Sequence, residues 1–163
     1  MERETVGRIA QLLRYDDERP PLYVLWAVAS LLGIDNAADL PATMQGRFTT
    51  DAGATTWYAF ALTEENIVTV IASADRAPWT LVTHKQVHTP PDSMSAVVRP
   101  RSHVERLEVI AVEDVSTWDD GRMDEWTTGW RIHFADGDTF DLPADRRSNS
   151  DELGRKLLAG LTG

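Results

Sequence analysis

The stretch WTTGWRIHFADGDTFDL, residues 126–142, decides the fold. Trp126, Thr128, Trp130, Ile132 and Phe134 alternate with Thr127, Gly129, Arg131 and His133. Side chains along a strand point alternately to its two faces, so this period of two predicts a half-buried strand. Asp136-Gly137 follows, a dipeptide suited to a tight hairpin turn, and Phe140 and Leu142 resume the apolar face on the returning strand. Upstream, residues 105–113 form a β-branched and aliphatic run that predicts another strand.

Working towards the N-terminus, the alternating period extends back to about Met44. Residues 45–50 read as a short strand, followed by the turn Asp51-Ala52-Gly53. Thr56, Tyr58, Phe60 and Leu62 then fall on one face of a strand, with Trp57, Ala59 and Ala61 on the other. Thr63-Glu64-Glu65-Asn66 is a tight connection into residues 67–72, and two strands so close in sequence predict an antiparallel hairpin. Residues 79–84 and, more weakly, 96–99 read as further strands, with an exposed loop at 85–92 around Pro90-Pro91.

The two ends have helical period. Val6, Ile9, Ala10 and Leu13 make one apolar stripe over residues 4–14, which the prolines at 20 and 21 terminate. Residues 21–32 predict a second helix, with proline in its first turn and Gly33 as its C-terminal cap. That helix is apolar on every side, so it is either enclosed by the chain's own strands or forms a homodimer seam through residues 22–32. Residues 35–41 form a loop with room for a short helical turn. At the other end, Ser148 or Ser150 caps a last helix with Asp151 and Glu152 in its first turn. Leu153, Leu157, Leu158 and Leu161 form its apolar stripe.

Runs of strands, rather than alternating strand and helix, argue against a parallel doubly wound sheet. The expected class is α+β: a strongly bent antiparallel sheet or small barrel of about seven strands, a C-terminal capping helix and two additional N-terminal helices. All 163 residues are expected in one domain, with a helical pair at 1–40 and a strand-rich core at 44–163.

Composition narrows the function classes. The net charge of −10 disfavours nucleic acid and anionic membrane, because both are bound through lysine and arginine. Arg99 and Arg101, and the adjacent Arg146 and Arg147, are too few to form a basic stripe. The same charge would steer a basic protein partner, although solubility alone also explains it. Cysteine is absent, which removes thiolate chemistry and every cysteine-based metal site and leans towards a reducing, cytoplasmic setting. No secretory signal is visible, and the longest apolar stretch, residues 22–34, is short of the ~20 residues needed to span a bilayer.

Two segments resemble bacterial pleckstrin-homology-like domains. One is WYAFALTEENIVTV, residues 57–70; the other joins RLEVIAVEDV, residues 106–115, to GWRIHFADGD, residues 129–138, then Phe140-Asp141-Leu142 and the final leucine helix. The likeness spans about residues 44–161 and implies a seven-stranded, sharply bent sheet capped by a C-terminal helix. It implies no activity, since that fold serves as a platform for peptides, proteins or, in some members, lipid headgroups. Phosphoinositide-binding members carry several basic residues around the first hairpin, whereas residues 46–55 offer only Arg47 beside Asp51, so headgroup binding is not expected. The leading helices lie outside the likeness.

Few constellations invite chemistry. His84 and His88 would align on a helix, but as the end of a strand they stand ~13 Å apart, too far to share a metal ion. Asp92 and His103 could join them only in a loop-built site, and solvated loop histidines are the simpler reading. Asp119, Asp120, Asp124 and Glu125 surround Gly121 without the spacing of a calcium loop, which favours a solvated turn able to meet a basic partner. Trp126 and Trp130 read as core, whereas Trp57 and Trp118 suit core or binding surface equally. No phosphate loop, nucleophile elbow or zinc-protease motif occurs, and no cofactor is expected.

The expected function is a non-enzymatic domain that binds a protein or peptide through a sheet edge or its loops. The candidate contact residues are Trp57, Trp118, Asp119, Asp120, Asp124 and Glu125. An acidic immunity or inhibitor protein neutralising a basic target is the first alternative. Small-ligand binding in a barrel interior is the second.

Overall fold

The computed structural model describes residues 3–34, 37–40, 43–86, 89–114, 126–145 and 148–162. The chain divides into two compact units, Met1–Arg99 and Pro100–Gly163. The leading helices do not stand apart as a pair: they belong to the first unit with four of the seven described strands.

In the first unit, helix α1 spans Arg3–Leu12 and buries Ile9 and Ala10 of the expected stripe, with Leu13 just beyond it, while Val6 is only partly buried and Thr5, outside the stripe, is buried as well. Helix α2, Leu22–Leu32, starts after Pro21, whose extended conformation and missing N–H suit a helix entry. It ends at Gly33, where φ is 64°, a left-handed conformation that lets the chain turn back and cap the last carbonyls. One 3-10 turn, Ala37–Asp39, then leads into an antiparallel meander of β1 (Thr43–Asp51), β2 (Ala54–Leu62), β3 (Asn66–Ala74) and β4 (Ser93–Pro100), in that spatial order. The first two hairpins fall where expected. Ala52 and Gly53 both take positive φ in the first turn, and in the second the amide and hydroxyl of Thr63 both donate to the Asn66 carbonyl.

The helices sit on the face of this sheet that carries Trp57, Ala59 and Ala61 of β2 and Val68, Val70 and Ala72 of β3. That face is built largely from small side chains, so helix backbone can approach closely. At Gly46, paired with Ala59, a Cβ atom would stand 2.0 Å from the Leu13 carbonyl oxygen. Val24, Leu25, Val28 and Ala29 of α2 are buried in the same cluster, whereas Trp26 is exposed. The helix that is apolar all round therefore buries one face on the chain's own strands and leaves another open. Phe60, Leu62 and Ile67 are buried on the opposite side of the sheet.

Residues 79–84 correct the strand expectation, because residues 81–86 form helix α3, Leu81–Gln86. Thr80 and Thr83 exchange side-chain hydrogen bonds with each other's backbone amides, a reciprocal cap that starts a helix. The strand-like pair Leu81-Val82 is overridden by this cap, and Val82 is exposed.

The second unit is a three-stranded antiparallel sheet of β5 (Val104–Asp114), β6 (Trp126–Phe134) and β7 (Thr139–Leu142), followed by helix α4 (Ser150–Thr162). Gly137, at φ 88°, and the Asp136 carboxylate, which accepts from the Asp138 amide, form the turn between β6 and β7. Trp130, Ile132, Phe140 and Leu142 form the buried face with Leu153 and Leu157 of α4. Gly154 fits under the Trp130 indole, where a Cβ would stand 2.3 Å from the ring. Leu158 and Leu161, expected in the same stripe, are exposed.

The α+β class and the C-terminal helix are as expected, but the strands do not close into one barrel. They form sheets of four and three, and pairing is interrupted at Pro100 and the 3-10 turn Arg101–His103. Proline has no N–H to donate to a ladder.

The close approach at Gly46 gives a paired prediction. Gly46→Ala lowers stability by about 1–3 kcal/mol through overpacking. Gly7, in α1 with no atom near its would-be Cβ, gains up to about 1 kcal/mol as alanine through helix propensity. Urea unfolding followed by tryptophan fluorescence measures both, and equal effects would remove the packing explanation for Gly46.

Candidate interaction surface

Trp57 is fully buried, which excludes it as a contact residue. Its ring packs on Phe48, and its Nε1 donates to the Trp79 carbonyl at 2.6 Å. Trp79, equally buried, donates from its own Nε1 to the Thr89 carbonyl. A buried indole N–H needs an acceptor, and here both find one in the loop backbone. The other candidates, Trp118, Asp119, Asp120, Asp124 and Glu125, lie outside the described residues.

Exposed apolar surface gathers instead on β5. This strand has eleven residues and lies at the edge of its sheet, paired among the described residues only with β6. Val109 is 51% exposed, Val112 57% and Ile110 37%. Trp126, expected in the core, is 57% exposed. It shares a face with Trp130 but lies four residues earlier, at the start of β6, and the two fates separate because α4 packs its Gly154 on Trp130. Val112 pairs with Thr128 and Asp114 with Trp126, so Val112 and Trp126 are diagonal neighbours on the α4 side of the sheet. The ladder shifts register between Val104 and Arg106 and again between Val109 and Ala111, irregularities of the kind that a bulge makes.

The opposite face of this sheet is polar. Arg131 grips Asp141 through two parallel hydrogen bonds of 2.7 and 2.9 Å. His133 Nε2 lies 2.8 Å from Glu108 Oε2 and so carries the proton of that hydrogen bond, with the Arg106 guanidinium 3.1 Å from the same nitrogen. The bond from His133 holds the Glu108 carboxyl below the usual carboxylate range, helped by the positive charge of Arg106 and opposed by partial desolvation.

An open cavity of about 320 Å³ lies between the 14–19 turn and α3, lined by Arg14, Asp17, Glu18, Arg19, Leu81 and Val82. Both of its cations already have partners: Arg14 pairs with Asp17, and Arg19 bonds to Gln11. It lies against helices and a turn and is not the barrel interior that the ligand alternative requires. Among the described residues no three histidine or acidic side chains are grouped to hold a metal ion, and no helix is long and apolar enough to cross a membrane. His84 lies on α3 and not on a strand, which removes the ~13 Å separation argued from strand geometry; His88 lies outside the described residues.

The β5 surface was within reach of sequence reading. Residues 104–114 contain no proline and no lysine, two common guards of an exposed edge. Compared with known proteins, the chain matches no family model, no curated protein and no solved structure.

The Glu108 pairing gives a pH prediction. Its carboxyl has a lower pKa folded than unfolded, so the stabilisation is fully present above the ordinary value of 4.5 and is lost as pH falls through the folded value. Glu108→Gln therefore flattens the dependence of unfolding free energy on pH below about 5 and leaves its slope near neutrality unchanged. Urea midpoints measured from pH 3 to 7 test this; an unchanged acid limb would show that the pair carries no linkage.

Proposed function

We propose that this chain is a non-enzymatic protein- or peptide-interaction domain built on a pleckstrin-homology-like core, with the β5 edge as its docking surface. The observation that carries the proposal is the exposed apolar row of Val109 and Val112 with Trp126, on a long strand that pairs, among the described residues, only with β6. An edge strand offers unpaired backbone N–H and C=O groups, and an extended segment completes them by adding as a further strand. Side chains on one face of the incoming segment would then reach Val112 and Trp126.

The pleckstrin-homology-like part of the proposal is supported by element order: four strands in a meander, three more in a meander, then a helix packed on the last sheet. The resemblance in residues 57–70 and 106–142 implies the same order. The leading helices would be an addition that covers one face of the first sheet.

A displayed library of extended heptapeptides tests the function. Enriched peptides bind the wild-type chain and lose about tenfold or more in affinity against Val112→Lys and against Trp126→Ala. Both side chains are more than half exposed, so each substitution changes stability by no more than about 0.5 kcal/mol. Enrichment no better than background, or binding indifferent to both substitutions, would overturn the proposal.

A further inference from the structure

We infer that the open cleft between the 14–19 turn and α3 binds a free amino acid with a branched aliphatic side chain. The cleft belongs to the first unit, whereas β5 belongs to the second, so it would be a second site. Its walls are held in place before any ligand arrives. Tyr15 and Glu18 exchange two backbone hydrogen bonds of 2.9 Å, closing a tight turn in which Asp16 and Asp17 take positive φ of 51° and 65°. Two left-handed residues in succession are what a type I′ hairpin turn requires; without glycine they carry a steric cost that the surroundings must overcome. The Tyr15 ring meets Phe48 edge-on, and the Arg14 guanidinium pairs with the Asp17 carboxylate. On the other side the Leu81 amide donates to the Arg19 carbonyl at 2.8 Å, which ties the turn to the start of α3. At about 320 Å³ the cleft is at the small end of the roughly 300–1,000 Å³ that ligand sites occupy.

The lining chooses the ligand. Arg14 and Arg19 balance Asp17 and Glu18, and Arg14 and Asp17 neutralise each other. Arg19 makes one long bond of 3.4 Å to Gln11, which leaves most of its N–H donors open. Among the described residues no side chain bonds the Glu18 carboxylate. Beside them Leu81 and Val82 form an apolar wall, with Val82 61% exposed. A simple anion would meet the repulsion of Asp17 and Glu18, and a simple cation that of Arg14 and Arg19. A wholly apolar molecule would desolvate these charges without any compensating bond. A zwitterion satisfies both signs at once: its carboxylate takes the fork of Arg19, its ammonium the Glu18 carboxylate, and its side chain covers Val82. The two charges of an amino acid stand on one carbon, as a small cleft lined by adjacent Glu18 and Arg19 requires, whereas those of a peptide lie at opposite ends.

Titration of the full chain with leucine, followed by nuclear magnetic resonance, tests the site. Saturable shifts are expected at the amides of Glu18, Arg19 and Val82. N-acetyl-leucine, which lacks the ammonium, and leucine amide, which lacks the carboxylate, should each bind at least about tenfold more weakly. Arg19→Gln should weaken leucine by about tenfold, and Val82→Ser should weaken leucine but not glycine. Both positions are exposed, so an unchanged urea midpoint checks that each variant is folded. Absence of shifts up to about 10 mM leucine, or equal binding of leucine and its two blocked forms, would overturn the proposal. So would leucine shifts that both substitutions leave unchanged.

Discussion

The buried indole of Trp57 is the constraint on which the first unit depends. It is the largest side chain on the helix-facing side of the sheet, and it carries a polar N–H that cannot be left without an acceptor. The Trp79 carbonyl supplies one, which fixes the backbone just before α3; the Trp79 indole then reaches the Thr89 carbonyl just before β4. Two indole N–H groups thus anchor the segment between β3 and β4 at Trp79 and at Thr89. Around Trp57, Gly46, Ala59, Ala61 and Ala72 keep the face low enough for α1 and α2 to rest on it. A bulky indole and a floor of small residues are two halves of one packing solution.

Element identity was legible wherever a local signal coincided with the tertiary outcome. Pro21 and Gly33 bound α2 because proline alone lacks the N–H and glycine takes a left-handed φ without the steric cost that a Cβ brings. The Asp136-Gly137 turn and the β2–β3 hairpin were readable for the same reason. The segment at 81–86 was misread because Leu81 and Val82 look strand-like in isolation, while the deciding contact is the exchange of bonds between Thr80 and Thr83. Three residues of spacing carried that information, and apolar content did not.

Burial was harder to read than secondary structure. Trp126 and Trp130 have the same residue type, strand and face, and periodicity cannot tell them apart. The difference arises from where α4 lies, which a notch at Gly154 records only once the helix is in place. Trp57 raised the converse problem: its strand showed apolar residues on both faces, and nothing local said that two helices would cover it. The division of the strands into two sheets had a sequence correlate in Pro100, but the pull of a single continuous barrel outweighed one proline.

The bulge at Val109 and Ala111 has a consequence for solubility. An exposed apolar edge is the template from which fibrils grow, because each added strand presents the same flat, regular edge to the next. A bulge bends its strand and breaks the even spacing of side chains. The irregularity on β5 denies its edge the straight, repeating geometry that unlimited stacking requires. The defect in the ladder thereby works against aggregation.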